Sequence, residues 1–233
     1  MSLKTSKNLE MLALVARGLH DLKDRVVFVG GATVDMYVTN LAGDPLRTTD
    51  DVDCVIAITS RVAYSELEER LRSLGFAHPL DDPKAPICRW KFSEIWVDVM
   101  PMDAGVLGFS NRWYPEGIEH AERRTLPDGQ EISIFRLPYF LASKIEAFLG
   151  RGRGDFYGSQ DLEDIVAVID GAEDVQEKVL AAPEAVKAYL REQFTELLRN
   201  ELFEQSVTGH LGPKAGIGRI QRTLQVLRQL ASS

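Results

Sequence analysis

Hydrophobic residues recur along the chain with two different periods, and the order of these periods predicts an α+β fold. Near the N-terminus, apolar side chains come at three- and four-residue steps, which indicates an amphipathic helix leading into the apolar strand RVVFVGG, residues 25–31. The helical set is Leu9, Leu12, Val15, Leu19 and Leu22. The β-branched run VDCVIAI, 52–58, predicts a second strand. We expect a short helix over 32–41 and a polar loop over 42–50 between the two strands.

The same two periods predict the helices and strands in the rest of the chain. Residues 61–74 have helical spacing and end at Gly75, and two apolar strands, 87–92 and 94–102, are close enough to form a hairpin. A second hairpin is expected around the Asp-Gly turn within 125–135, and helices over 138–150 and 161–170. From about residue 172 the pattern is purely helical. The sequence therefore predicts a mixed β-sheet core with flanking helices over 1–135 and a helical C-terminal region over 136–233.

Charge and cysteine content narrow the classes of function. The formal net charge is −8, so no general basic field attracts nucleic acid or an anionic membrane. Residues 209–233 contain four basic and no acidic side chains, which is either a local basic patch or a solvated helix face. Cys54 and Cys88 lie in apolar runs, as expected for buried, reduced thiols of a cytoplasmic protein. No stretch of about 18 apolar residues predicts a membrane span.

Three aspartates at the start of the second strand are the first candidate chemistry. Side chains two apart in a strand share a face, so Asp51 and Asp53 lie together, about 6.6–6.8 Å apart along the chain, while Asp50 points away. Two carboxylates on one face without a basic neighbour repel each other, and Mg²⁺ would relieve the repulsion. Asp98, in the apolar strand 94–102, is the expected third carboxylate if the strands are neighbours, because a charge there must be paired or metal-bound. Glu94 and Asp103 are weaker candidates near the ends of that strand.

The glycine pair Gly30-Gly31 is the second candidate. A strand that ends in two glycines before a helix lets a phosphate approach the backbone, and the helix start offers free N–H groups; a tight turn is the alternative. Together with the aspartates this describes a nucleoside triphosphate site. Dinucleotide-fold, P-loop and GxSxG motifs are missing from the sequence, and its four histidines stand apart.

These residues resemble the nucleotidyltransferase-fold superfamily, and within it the AbiEii-like, also called MenT-like, toxin family. The resemblance covers about residues 26–170. It is carried by Gly30-Gly31, by Arg47-x-Thr49-x-Asp51-x-Asp53, by Asp98, by Lys144 in ASKIEAFLGRGRGD, and by Asp161 and Asp164 in SQDLEDI. Gln160 departs from the pattern, since a basic residue is common there.

The resemblance implies a role for each matched residue. Asp51, Asp53 and Asp98 would hold Mg²⁺, with a two-metal site as one form, and Asp98 would complete the metal site or accept the proton of an attacking hydroxyl. Lys144 would contact the triphosphate and Asp161 would orient Lys144 or the acceptor, although capping of the following helix would also explain Asp161. Gly30, Gly31, Arg47 and Thr49 would bind the nucleotide; for Arg47 a surface salt bridge is the alternative.

The implied activity is transfer of a nucleoside monophosphate from an NTP, ATP included, to a macromolecular acceptor. That acceptor would be tRNA or a protein, and the chain would then be the toxin partner of an antitoxin protein. Two alternatives stay open: a non-catalytic nucleotide-binding or interaction member of the fold, and a small-molecule nucleotidyltransferase of the aminoglycoside-modifying kind.

Overall fold

The computed structural model describes residues 6–40, 45–79, 82, 85–151 and 154–232. It divides the chain into two compact units: residues 1–35 with 48–136, and residues 36–47 with 137–233. The domain boundaries 1–135 and 136–233 stay a prediction. In the structure, segment 36–47 groups with the helical unit, where the backbone N–H groups of Thr39 and Asn40 both donate to the carbonyl of Gly171 at 3.0 Å.

Unit 1 contains a six-stranded mixed sheet. Its strands are β1 (Val26–Val29), β2 (Asp51–Ile56), β3 (Arg89–Phe92), β4 (Ile95–Pro101), β5 (Glu122–Thr125) and β6 (Glu131–Ile134), in the order β3-β4-β2-β1-β6-β5. β2 is parallel to β4 and antiparallel to β1, and β1 is parallel to β6. The predicted mixed sheet, its two hairpins and the flanking helices are confirmed.

The hairpin turns follow from local backbone chemistry. β3 and β4 are joined by two residues, because Phe92 pairs with Ile95. The first of them, Ser93, has φ +52°, the left-handed conformation that two-residue hairpin turns require. Between β5 and β6 the predicted Asp-Gly turn places Gly129 at φ +86°. These short turns determine which residues of each strand lie opposite one another.

Among the described residues, four α-helices flank the sheet in unit 1. They are α1 (Lys7–Leu19), α2 (Arg61–Ser73), α3 (Ala104–Leu107) and α4 (Tyr114–Glu119). α1 begins at Ser6, whose side chain accepts from the N–H of Leu9, and α2 begins at Ser60 in the same way. Every residue of the interior strand β1 is buried, and so is Trp90 on the edge strand β3.

Unit 2 is helical, as the sequence predicts for its C-terminal region. Its helices are α5 (Leu137–Arg151), α6 (Gln160–Gly171), α7 (Val175–Leu180), α8 (Glu184–Leu198), α9 (Glu201–His210) and α10 (Ile217–Ser232). α5 packs on α6 and α8, and α10 packs on α8, through buried side chains such as Ile145, Leu162, Leu190 and Leu227. Within the described residues, none of the helices is long and apolar enough to cross a membrane.

Two expectations about local structure need correction or restriction. The helix expected over 32–41 is a 3₁₀ helix over Gly31–Met36, and Leu41 lies outside the described part of the chain. Thr33, Val34, Val38 and Thr39 are β-branched, which lowers the helix propensity of this segment. Of the expected polar loop over 42–50, residues 42–44 lie outside the described part of the chain. The segment between β4 and β5, which has no predicted helix, contains the short helices α3 and α4.

Candidate functional site

Three carboxylates come together on one face of the sheet because β2 and β4 are parallel neighbours. Asp53 lies opposite Asp98, and Asp51 lies opposite Trp96, two residues earlier on the same face. One carboxylate oxygen from each of Asp51, Asp53 and Asp98 lies within 4.8 Å of the others. Asp50, in contrast, is 93 % exposed and faces Lys7 at 3.7 Å. The predicted sorting of the aspartates is confirmed, and the expected approach of Asp98 is present.

Gly30 supports the Asp53 carboxylate at close range. It directly follows Val29, which pairs with Asp53 across β1 and β2, and it adopts φ +74°. A Cβ atom at Gly30 would overlap the Asp53 carboxylate, so only glycine leaves room for that side chain in its present position. The glycine is therefore required both by the backbone and by the site. Gly31 begins the 3₁₀ helix, and its contact with phosphate stays a prediction.

Arg89 is the residue of this site that the sequence analysis missed. Its Nε donates to Oδ1 of Asp98 at 2.8 Å and its Nη2 donates to Oδ2 at 2.7 Å, a bidentate pair. The same Nη2 lies 3.5 Å from Oδ2 of Asp51. The hydrogen bonds to Asp98, which outweigh burial, raise the pKa of the Arg89 guanidinium, so it stays charged. The assumption that these carboxylates have no basic neighbour is wrong.

Asp51 is held by a chain of polar contacts from α1. The hydroxyl of Thr49 donates to Oδ1 of Asp51 at 2.6 Å, and the Thr49 N–H donates to the side chain of Asn8 at 3.1 Å. Asn8 in turn donates to Asp35 at 2.7 Å. Thr49 and Asn8 are both buried, so their side chains face the interior and orient Asp51. The predicted contact of Thr49 with nucleotide is untested, and the contact present is a positioning one.

The donor set fits a hard divalent cation. Three carboxylates with neighbouring oxygen atoms are the ligands that Mg²⁺ takes in proteins, usually one or two carboxylates together with substrate phosphates. The side chain of Asp51 is 34 % exposed and that of Asp98 11 %, so the cluster has an open and a closed side. With Arg89 the four side chains carry a formal charge of −2, which is an excess that a cation can neutralise.

A second cluster of charges lies in unit 2 and contains the other predicted residues. Nζ of Lys144 lies 2.6 Å from Asp164 and 3.1 Å from Asp161. Arg47 donates to both oxygens of Asp164, at 3.0 and 3.1 Å, and Arg151 donates to both oxygens of Asp161 at 3.1 Å. We call this set, with Glu163 at 3.5 Å from Arg47, the unit 2 ion network. Arg47 is therefore in a largely buried ion pair, not in the surface salt bridge expected as its alternative.

Burial and pairing act in opposite directions in this network. Burial alone would lower the pKa of the Lys144 ammonium, but the carboxylates of Asp164 and Asp161 outweigh it and the pKa is raised. Burial would raise the pKa of Asp161, and Lys144 and Arg151 more than offset this, so its pKa is lowered. Lys144 and Asp161 are therefore both charged at neutral pH. The side-chain cap of α6 is Ser159, which accepts from Leu162, so helix capping does not explain Asp161.

The two secondary expectations have clear outcomes. Half of the basic side chains in 209–233 are in ion pairs within unit 2: Arg219 with Asp170 at 2.7 Å and Arg228 with Glu204 at 2.8 Å. These two charges stabilise helix packing and do not form a free basic patch. Cys54 and Cys88 are buried free thiols, as predicted, and burial raises the pKa of Cys88 to about 12.

Comparisons with known proteins give a fold likeness and no family. Neither the protein-family models nor the curated proteins include a match to the chain. Among solved structures, an antigenic nucleotidyltransferase-like protein from Paracoccidioides brasiliensis aligns with TM-score 0.48 and 18 % identity, over 89 % of this chain and 94 % of that one. The antibiotic-resistance factor ANT(2'')-Ia aligns with TM-score 0.49 and 14 % identity, over 82 % and 95 %. At these TM-scores the functional question rests on the residues of the site.

Proposed function

We propose that the chain is a Mg²⁺-dependent nucleotidyltransferase that transfers a nucleoside monophosphate from an NTP to a macromolecular acceptor. The main support is that carboxylate oxygens of Asp51, Asp53 and Asp98 lie within 4.8 Å of one another. Gly30 leaves room for the Asp53 side chain in this arrangement. Asp51, Asp53, Asp98 and Arg89 together carry a formal charge of −2, at a site where Asp51 is 34 % exposed. A divalent cation from solution can neutralise that charge.

In the proposed reaction, the acceptor hydroxyl oxygen forms a bond to the α-phosphorus, and the bond from that phosphorus to the bridging oxygen of the β-phosphate breaks. Pyrophosphate leaves and the hydroxyl proton passes to a carboxylate oxygen, for which Asp98 is the candidate. Bound Mg²⁺ would supply charge neutralisation at the transferred phosphate. Asp51 and Asp53 would hold the ion, and Thr49 would keep Asp51 in position.

The remaining predicted roles belong to this proposal. Gly31 would approach phosphate through its backbone, and Lys144, Asp161 and Arg47 would act as the family resemblance implies. The acceptor would be tRNA or a protein, the chain would act as a toxin with an antitoxin partner, and it would work in the cytoplasm. None of these finer roles follows from the contacts described above.

One observation favours a second candidate, a non-catalytic nucleotide-binding protein. The bidentate pair with Arg89 engages both oxygens of Asp98, the residue proposed to accept a proton. A carboxylate oxygen has a second lone pair, so the pair does not prevent Asp98 from facing a metal. Both oxygens nevertheless accept hydrogen bonds from Arg89, and a chain that binds nucleotide without transferring it would have the same contacts.

The test is a transfer assay with four α-labelled NTPs. The protein is incubated with Mg²⁺, each labelled NTP, and an extract containing total RNA and protein. We expect label in RNA or in protein, and its loss in Asp51→Ala and Asp53→Ala. Asp50→Ala is the matched control, because Asp50 lies in the same segment and points to solvent. Nucleotide binding without label transfer would favour the non-catalytic candidate, and no binding or transfer at all would contradict both.

A further inference from the structure

Arg89 occupies the position of a cation at the proposed metal site. Its guanidinium contacts both oxygens of Asp98 at 2.7–2.8 Å and lies 3.5 Å from Asp51. It therefore faces two of the three carboxylates that would bind the metal. The pairing follows from the backbone, because Arg89 lies directly opposite Asp98 in the β3–β4 hairpin. A divalent ion entering the cluster approaches this fixed positive charge.

Arg89 can also be reached by a ligand. Its side chain is 28 % exposed, whereas that of Asp98 is 11 % exposed. A guanidinium has five N–H donors in a planar fork that suits phosphate as well as carboxylate. A triphosphate at the cluster would present oxygens that compete with Asp98 for this fork. One side chain would thus link nucleotide binding to the charge that a metal meets at Asp98.

We propose that Arg89 is the resident counter-ion of this site, which keeps its affinity for free divalent cations low until a nucleoside triphosphate arrives. This inference rests on the proposed function. The ligand it selects is the metal–triphosphate chelate, because only a polyanion compensates the charge of Arg89 while it brings its own metal ion. Arg89 is a positioning residue in this account: it acts through Asp98 and Asp51.

The test is a Mn²⁺ titration at pH 8, in which binding is measured as loss of the free Mn²⁺ signal in electron paramagnetic resonance. Wild type is compared with Arg89→Gln, which removes the charge but can still donate to Asp98, and with Arg89→Lys, which keeps the charge. Arg123→Met is the matched control, because Arg123 also pairs with an aspartate, Asp24, but lies on β5 at the opposite edge of the sheet. Each titration is run alone and with the α,β-methylene analogues of ATP, GTP, CTP and UTP in turn.

We expect wild type to bind Mn²⁺ weakly alone and more tightly with at least one analogue. Without nucleotide, Arg89→Gln should bind Mn²⁺ at least about 10-fold more tightly than wild type, which is the scale of affinity changes for residues next to metal ligands. Adding the analogue should increase its Mn²⁺ affinity less than it does for wild type. Arg89→Lys and Arg123→Met should stay within about 3-fold of wild type.

Two results would overturn the inference, and they differ from failure of the proposed function. Equal or weaker Mn²⁺ binding by a folded Arg89→Gln would show that Arg89 only supports Asp98. Equally tight binding by Arg89→Lys and Arg89→Gln would show that charge is not the cause. If no variant binds Mn²⁺ even with nucleotide, the proposed metal site itself is wrong. Circular dichroism of each variant verifies its fold.

Discussion

Two charged clusters in this protein use similar side chains in opposite ways. The unit 1 cluster sets three carboxylates against Arg89 and has a formal charge of −2. The unit 2 ion network has three cations and three anions and sums to zero. Its members are Arg47, Lys144, Arg151, Asp161, Glu163 and Asp164. Lys144 and Asp164 are 8 % and 4 % exposed, against 34 % for Asp51.

The comparison separates a structural charge cluster from one suited to an external cation. In the unit 2 ion network the buried Lys144, Asp161 and Asp164 compensate one another's charge, while Arg151, 74 % exposed, contributes from the surface. Their mutual attraction offsets the cost of desolvation without an added ion. A partly exposed cluster with excess negative charge is less stable alone and gains from an added cation. Neutralisation should therefore lower the free energy of unfolding strongly in the unit 2 ion network and change it little in the unit 1 cluster.

The largest expected effect is loss of stability when the unit 2 ion network loses its central cation. Lys144→Met leaves Asp161 and Asp164 buried without their shared partner, which should lower the free energy of unfolding by about 3–5 kcal/mol. Urea denaturation measures it. The control is Lys187→Met, which removes an i,i+3 pair with Glu184, a side chain 70 % exposed, and little loss of stability is expected from it. Equal losses in the two variants would mean that the buried network contributes no special stability.

Neutralisation in unit 1 should instead cost activity and not stability. Asp53→Asn removes one negative charge from a cluster with an excess of them, so the free energy of unfolding without metal should change by less than about 1 kcal/mol. Nucleotidyl transfer should fall by about 10²-fold or more, the scale for loss of one group that stabilises transferred charge. Denaturation and the labelled-NTP assay measure the two quantities on one preparation. A large loss of stability would make Asp53 a structural residue.

A smaller effect is expected from the contact that orients Asp51. Thr49→Val removes the hydroxyl that donates to Asp51 at 2.6 Å, and should weaken Mn²⁺ binding about 10-fold with little effect on overall folding. Thr49→Ser restores the hydroxyl and should restore the affinity. If Thr49→Ser binds Mn²⁺ as weakly as Thr49→Val, packing of the threonine methyl group matters and the hydrogen bond does not.

Strand periodicity is enough to predict the unit 1 cluster, but it does not predict the counter-ion Arg89. Strand alternation separates Asp51 and Asp53 from Asp50, and the neighbouring strand brings Asp98. Arg89 was detectable in principle: a two-residue turn between Phe92 and Ile95 puts it opposite Asp98. The register of a hairpin follows from the type and length of its turn.

The unit 2 ion network could not be predicted from local patterns. Arg47 and Asp164 are 117 positions apart, and only the packed structure brings them together. The cap of α6 did have a local signal, because Ser159 stands directly before the helix and is a stronger N-cap than a residue inside it. Helices α3 and α4, four and six residues long, are too short to show a periodic pattern.

The smallest effect, on pH, tests whether the carboxylates of the unit 2 ion network act as charges. The pKa of Asp161 is lowered below its ordinary value of 3.8, so its contribution to stability is present above pH 3.8 and is lost as the pH falls through the lowered value. The difference in unfolding free energy between wild type and Asp161→Asn should therefore be larger at pH 7 than at pH 3. Asp50→Asn is the matched control, because its side chain is 93 % exposed and little effect on the unfolding free energy is expected. If the difference for Asp161→Asn does not change with pH, then the hydrogen bonds that Asp161 makes, and not its negative charge, stabilise the packing of α5 on α6.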